Sequence, residues 1–349
     1  MSQKKSEWSQ RYWEKRRELE DSTRLKAENS TLDELIVFIP NAMKEIQQLL
    51  LSQADLHELT INELLKDYSL RDQKKYRKYI DKNYRELMKV DDQYKEFIDE
   101  YFPSYDYAKI NRLLQLRSDI FSILASKAIE GNINQLFANR LINFLENIYQ
   151  SNSNALGMIL GTGDFSALSS EELKRIVNYP WSGKSFSKRL WGNISRLEQN
   201  LTQAILDALM SGERVESIIR RMRGNKEVSS MFKLEKTKFR NALENLVRTE
   251  YAHIAVEGVK KSVNDAGIKQ LQSWSAEDER VCVVCGARHG KLIEDGWYPP
   301  YHGRCRCTAI PKMPELGKDI DSLYEEMFGD LLDEFANEQF NIKLKTKAH

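Results

Sequence analysis

A chain of 349 residues that is 41% hydrophobic and 30% charged, with 16 Gly and 7 Pro, has the make-up of a helix-rich globular protein, which excludes fibrous and disordered classes. Its 53 Lys and Arg against 52 Asp and Glu leave a net charge of +1, so any affinity for a polyanion has to be local. The opening MSQKKSEWSQRYWEKRRELE lacks the apolar core of a secretory signal, and no run of about 18 apolar residues occurs, so a cytosolic protein with no membrane-spanning segment is expected.

The predicted fold is mainly α, with an N-terminal helical domain followed by a C-terminal α+β domain that holds a small Cys/His module, in which Val281, Val283 and Val284 suggest one short strand and Thr308 to Ile310 another. Residues 1–30 are dense in both signs of charge and carry Trp8, Tyr12 and Trp13 at helical spacing, the pattern of an amphipathic docking arm. Residues 31–165 read as the helical domain. Ser30 or Thr31, followed by Asp33 and Glu34, suggests an N-cap with acidic residues in the first turn. Further on, Ile110, Leu113, Leu114, Ile120, Phe121 and Leu124 recur at threes and fours on one face. Between 68 and 107, Tyr68, Tyr76, Tyr79, Tyr84, Tyr94, Tyr101, Tyr105 and Tyr107 stand among Lys and Arg. Interleaved cations and aromatics can stack on bases. Asp and Glu are as frequent there, which favours a solvated helical face with tyrosines at its buried edge.

Ser, Asn and Gly cluster in SNSNALGMILGTGDFSALSS at 151–170, which reads as a boundary loop. Ser169 or Ser170 with Glu171 and Glu172 then opens a helix. After a Pro-Trp-Ser-Gly turn comes a second helix, whose face is Leu190, Ile194, Leu197, Leu201, Ile205 and Leu209 and whose end is Gly212. From Arg214 to Arg248 ten basic residues face four glutamates, so Arg220, Arg221, Arg223, Lys226, Lys236, Lys238 and Arg240 are candidate DNA contacts. The reverse holds at 315–338, where nine acidic residues face Lys318 alone, within an acidic tail at 313–349 that reads as helical. A solvated face is the plainer reading of both runs; the tail otherwise suits docking on a partner or imitation of DNA.

All four cysteines fall between 282 and 307, in a stretch rich in glycine. Cys282 and Cys285 form a C-x-x-C knuckle, and His302 and Cys305 repeat that spacing 16 residues later, followed by Cys307. Two such knuckles are the template of a structural zinc site, in which each half supplies two ligands to a tetrahedron. Cys282, Cys285, His302, Cys305 and Cys307 are five candidates for four places, and sequence leaves the choice open. His289 in GARHGK reads as a turn residue or a partner behind the ligands. Buried apolar thiols or disulfides are the alternatives, but a loop-rich segment can bury little apolar surface and gains most from a metal. A catalytic zinc would keep a place for water, with Glu277, Asp278, Glu294, Glu250 and His253 as nearby acids and bases. With enough protein ligands to close the site, structural zinc without catalysis is expected.

The C-terminal half resembles the phage Mu F-like family of head morphogenesis or minor capsid proteins. The resemblance is carried by Pro180-Trp181-Ser182-Gly183 with Phe186, Ser187, Arg189 and Trp191; by Arg248-Thr249-Glu250; by Trp274 and Asp278 leading into Cys282-x-x-Cys285; and by His289-Gly290, Pro300, His302 and Cys305-Arg306-Cys307. Tyr12-Trp13-Glu14-Lys15-Arg16 resembles the start of the head-protein versions. One departure is Gly303, where the family more often carries Pro. The resemblance implies a Mu F-like domain at 170–312 with its zinc module at 274–310, and a virion protein inside the phage head that assembles in the host cytoplasm. It further implies few copies per head, partners among the portal, scaffolding and major capsid proteins, sequence-independent binding of double-stranded DNA, and a part in packaging or ejection. Two other readings compete. One is a zinc-dependent hydrolase or toxin-like effector built on the same module. The other is a zinc-ribbon nucleic-acid binder, which would need more positive charge than Arg280, Arg288, Arg304 and Arg306 supply.

Overall fold

The computed structural model describes residues 2–56, 59–103, 111–161, 165–223, 230–276, 281–312 and 329. Among them the chain forms α1 Ser2–Leu35, α2 Phe38–Leu56, α3 Ile61–Leu65, α4 Leu70–Leu87, α5 Asp92–Tyr101, α6 Arg112–Glu130, α7 Ile133–Leu160, α8 Ser170–Asn178, α9 Phe186–Met210, α10 Val215–Arg223, α11 Ser230–Asp265, β1 Leu271–Trp274, α12 Val283–Arg288 and β2 Thr308–Pro311. The fold is mainly α, as predicted, and its strands lie in the C-terminal part. Two compact units interleave along the sequence. One takes the described residues of Met1–Thr31, Ala138–Tyr179 and Val247–His349; the other takes those of Leu32–Phe137 and Pro180–Leu246.

In the second of these units α6 packs against α2, α3, α4 and α9. Asn111 caps α6 by accepting from the Leu114 N–H at 3.0 Å. One face of the helix then buries Leu116, Ile120, Phe121 and Leu124 completely, each contributing about 1.5–3 kcal/mol. Ser185 caps α9, and the predicted face from Leu190 to Leu209 is buried throughout. That helix stops at Ser211, with Gly212 at φ +79, a conformation that favours glycine. Trp191 is fully buried and stacks on Phe97 with ring centroids 5.7 Å apart.

Several buried polar groups inside this unit are paired with one another. The Arg117 guanidinium donates to both oxygens of Glu198 at 3.0 and 3.1 Å, and the Thr202 hydroxyl donates to the same carboxylate at 3.0 Å. Asp119 accepts from Asn83 at 2.6 Å and Gln53 at 3.3 Å, and burial pushes its carboxyl up to about 6. The tyrosine-rich stretch supplies structural side chains. Tyr94 is buried, Tyr84 donates to Asp99 at 2.7 Å and Tyr101 to the Lys188 carbonyl at 3.0 Å. Tyr105 and Tyr107 lie outside the described residues.

In the other unit α1 buries Tyr12 and Trp13. Arg16 donates to the Tyr12 and Ser151 hydroxyls, and Arg24 pairs with Asp21 at 3.0 Å and Glu28 at 3.3 Å. Tyr251 of α11 packs its ring on Phe144 of α7, and its hydroxyl lies 2.8 Å from that of Thr31. Gly258 brings α11 so close to α7 that an added Cβ would stand 2.7 Å from Ile148 Cγ2.

Four local expectations are corrected. Ser30 and Thr31 cap nothing, because α1 runs through them and the Thr31 hydroxyl is taken by Tyr251. The predicted loop at 151–170 is helical to Leu160, since Asn152 finds internal partners, donating to Glu20 at 2.7 Å and to the Ile148 carbonyl at 2.9 Å. Leu113 and Leu114 are only half-buried, and Leu116 takes the core position instead. Val283 and Val284, expected in a strand with Val281, begin α12, because Cys282 turns the chain by capping it. Ser169 does cap α8, and Thr308 to Ile310 do form a strand, as expected. The acidic tail at 313–349 lies outside the described residues, apart from Gly329.

Candidate metal centre

β1 pairs antiparallel with β2 in the register Leu271↔Pro311 to Trp274↔Thr308. On the opposite edge of β1, the Ser273 N–H donates to the Lys291 carbonyl at 2.9 Å and the Ile293 N–H to the Leu271 carbonyl at 2.9 Å. The chain from Ser275 to Cys307 thus leaves and re-enters a small sheet, and the cysteines and His302 sit on this excursion.

Each knuckle is a tight turn fixed by its own backbone. Cys282 caps α12, its sulfur accepting from the Cys285 N–H at 3.4 Å, while the Gly286 N–H donates to the Cys282 carbonyl at 2.9 Å. In the second knuckle the Cys305 N–H donates to the His302 carbonyl at 3.2 Å. The two turns face one another. His302 Nε2 lies 3.4 Å from Cys282 Sγ and 3.2 Å from Cys285 Sγ, and Cys285 Sγ lies 3.7 Å from Cys305 Sγ. Cys282, Cys285 and His302 form one group of converging donors, and Cys285, Cys305 and Cys307 form another. The cluster could hold a metal ion.

The electrostatics suit a cation. The other ring nitrogen of His302, Nδ1, is 2.8 Å from the Gly303 carbonyl. Donation from Nδ1–H leaves the Nε2 lone pair facing the thiols, the tautomer a metal ligand needs. The Cys307 thiol beside Cys305 brings the Cys305 thiol down to about 5, while the same contact and burial push Cys307 up. Burial pushes Cys285 up to about 12, and the Cys285 N–H holds Cys282 below the ordinary thiol range. The Gly303 carbonyl raises His302. A buried group of thiols of opposite tendency is costly by itself and is relieved by a shared positive charge.

Helix α11 and the surrounding loop hold the excursion in place. Arg304, at a φ of +59 that is uncommon outside glycine, donates its N–H to the Thr249 hydroxyl at 3.1 Å. Lys260 lies 4.5 Å over the Tyr298 ring. Arg288 stacks on Trp297 and Tyr301 at 4.1 and 5.2 Å and pairs with Asp295 at 2.7 Å, and the Tyr301 hydroxyl donates to Ser273 at 2.7 Å. His289 belongs to neither donor group; its Nδ1 lies 2.9 Å from the Ser275 hydroxyl, and its ring packs on Trp274. The sequence marked Thr249, within Arg248-Thr249-Glu250, but not its role; that contact spans 55 positions and no periodicity reports it.

The predicted DNA contacts are distributed differently. Arg220 is exposed on α10, but Arg221 pairs with Glu213 at 2.8 Å, Lys238 with Glu235 at 2.7 Å and Arg240 with Asp33 at 3.3 Å. Lys236 is half-buried, and its ammonium is lowered by that burial. The side chain of Arg223 and all of Lys226 lie outside the described residues. Of the acids and bases considered for catalysis, Glu250 and His253 are buried in α11, Glu294 is exposed, and Glu277 and Asp278 are not described.

Residues 199–310, from α9 to β2, match the family model described as Phage Mu protein F like protein. A curated relative, the NAD(+)--arginine ADP-ribosyltransferase EFV of Enterococcus faecalis, is 27% identical over 253 residues, which is 64% of this chain. The alignment spans 48% of that relative, about half its length. No solved structure matches the chain. The match covers the donor cluster, the Thr249 anchor, β1 and most of β2, so it is residues 199–310 that are similar to the phage Mu protein F like family.

Proposed function

We propose that the protein is a phage minor head protein, incorporated with the portal into the procapsid among scaffolding and major capsid proteins. There it holds one structural zinc and binds duplex DNA without regard to sequence, aiding packaging or ejection. The observation that carries this reading is the position of the five-donor cluster inside the stretch matched to the head-protein family. Around a tetrahedral zinc, two thiolates at about 2.3 Å stand roughly 3.8 Å apart, and a thiolate and an imidazole about 3.6 Å apart. The 3.7 Å between Cys285 and Cys305 and the 3.4 and 3.2 Å from His302 to Cys282 and Cys285 are close to three edges of such a polyhedron, with Cys285 shared by both donor groups. These four are the proposed ligands. Cys307 is the fifth donor and converges with Cys285 and Cys305. Zinc bound there supplies the cross-link that a loop-rich segment cannot obtain from apolar burial.

The test is metal content and assembly. Purified protein is expected to carry about one zinc per chain, and co-expression with the portal, scaffolding and major capsid proteins to yield procapsids that contain it. Protein free of metal and absent from procapsids overturns the reading. The name of the Enterococcus relative suggests a second one, transfer of ADP-ribose from NAD+ to arginine. Incubation with labelled NAD+ and an arginine-rich acceptor separates the two, since transfer of label would favour the enzyme.

A further inference from the structure

Helix α4 is capped by Ser69, whose hydroxyl oxygen accepts from the Asp72 N–H at 3.3 Å and whose O–H donates to the Asp72 carboxylate at 2.7 Å. Its one buried side is marked by Ile80 and Leu87, and it packs against α6. On the opposite side Arg71, Lys74, Lys75, Lys78, Lys82 and Arg85 are all exposed. Their spacing of three and four places them on one arc of roughly 100°, at 3.6 residues per turn. The stripe runs about 21 Å along the helix at 1.5 Å per residue. Among the described residues none of the six is held in an ion pair. Lys82 is within electrostatic reach of Glu86, which is itself paired with Lys89 at 2.8 Å. The other acids of the helix, Asp72 and Asp81, flank the stripe. The stretch from 214 to 248 is as basic in sequence, but Arg221, Lys238 and Arg240 there are engaged by acidic partners.

We infer that the exposed face of α4 is the surface that meets the phosphates of duplex DNA; this rests on the reading that the protein binds duplex DNA at all. A protein partner fits the stripe poorly. Protein interfaces are built on an aromatic or apolar centre and are depleted in lysine, whereas this arc carries long cations only, four of the six being Lys. A duplex presents one negative charge per about 1.7 Å of its axis and asks for a line of mobile cations, with no base to be read. Neutralising phosphates releases condensed counterions, so the binding is strongly salt-dependent and indifferent to sequence.

The experiment measures affinity of the full chain for a mixed-sequence duplex of about 30 base pairs between 50 and 200 mM salt. Three proteins are compared: the wild type, the triple variant Lys74→Gln, Lys78→Gln, Lys82→Gln, and a control with Arg220→Gln, Lys236→Gln and Arg240→Gln. Glutamine keeps the helix propensity of lysine, so the fold is retained. The α4 variant is expected to bind roughly tenfold or more weakly, with the slope of log affinity against log salt reduced by about 3, one per lost phosphate contact. The control is expected to change little, and Lys→Arg at the same three positions to restore binding. Unchanged affinity and slope in the α4 variant overturn the assignment while leaving DNA binding intact. Polyglutamate competing as well as duplex at equal charge overturns it in favour of an acidic protein. A wild type that ignores DNA even at 50 mM overturns it together with the DNA half of the proposed function, and the zinc content of the same preparation then judges the remaining half.

Discussion

The backbone N–H of Arg304 and the hydroxyl of Thr249 meet at 3.1 Å, joining the second knuckle to α11 across 55 positions of sequence. The bond holds Arg304 at a φ of +59, so the turn that aims His302 and Cys305 depends on a helix side chain outside the cysteine segment. Replacing Thr249 by Val keeps the shape and removes the acceptor, leaving a partly buried N–H unsatisfied at about 1–3 kcal/mol. The expected outcome is faster loss of zinc to a chelating indicator, with helix content by circular dichroism unchanged. An exchange rate equal to that of the wild type would show that the knuckle holds its turn unaided.

The five donors are not equivalent. Cys282→Ser, Cys285→Ser, Cys305→Ser and His302→Ala are each expected to reduce zinc below one equivalent and to make the remaining thiols reactive. Cys307→Ser is expected to keep about one equivalent, because the other four donors are enough to complete a tetrahedron. Loss of metal in Cys307→Ser with retention in His302→Ala would exchange the roles of those two residues. The readout is metal analysis with thiol titration before and after chelation.

Much of this centre was legible from spacing. The repeated x-x interval of Cys282/Cys285 and His302/Cys305 places two donors on each tight turn, and a turn is a local event that sequence encodes. The face of α9 from Leu190 to Leu209 was legible for the same reason, since its period is a property of one helix. Thr31 and Asn152 were misread because each was judged by local propensity. Their polar side chains favour caps and loops in isolation, but here they are satisfied by Tyr251 and Glu20, more than 100 positions away. Val283 reads as a strand residue until Cys282 is seen to cap the turn that follows it. Composition overstates the uncompensated charge of the basic stretch for a related reason. Composition counts Arg221 and Arg240 as charge, and only the fold supplies Glu213 and Asp33 beside them.

Gly258→Ala reverses the usual sign of a helical glycine substitution. In an open helix the change stabilises by about 0.5–1 kcal/mol. Here the new methyl would stand 2.7 Å from Ile148 Cγ2 and 3.1 Å from its Cβ. Forcing the two helices apart costs about 1–3 kcal/mol, so net destabilisation is expected. Thermal unfolding measures it, and the double variant with Ile148→Val is expected to recover part of the loss.

Asp119 carries a pH dependence of defined sign. Burial holds its carboxyl at about 6, against 3.8 for an ordinary aspartate, so the native state retains a proton that the unfolded chain releases. The stability this group allows is fully present below about pH 4 and is lost as pH rises through 6, by about 3 kcal/mol in all. Asp119→Asn removes that dependence while keeping an oxygen to accept from Asn83 or Gln53. Urea denaturation at pH 4 and pH 7 is expected to show the variant gaining on the wild type at the higher pH, and a constant difference would place the group in a wetter site.

The pairing of Trp274 with Thr308 closes the sheet at the point where the Ser275–Cys307 excursion begins and ends. Directly opposed residues of an antiparallel pair have Cα atoms only about 4.5–5.5 Å apart. The whole knuckle pair is therefore inserted into the chain as a cassette whose two ends nearly touch. Such an insert imposes almost no spacing requirement on its host, so its loops can lengthen, shorten or change surface chemistry while the helices that carry it keep their register.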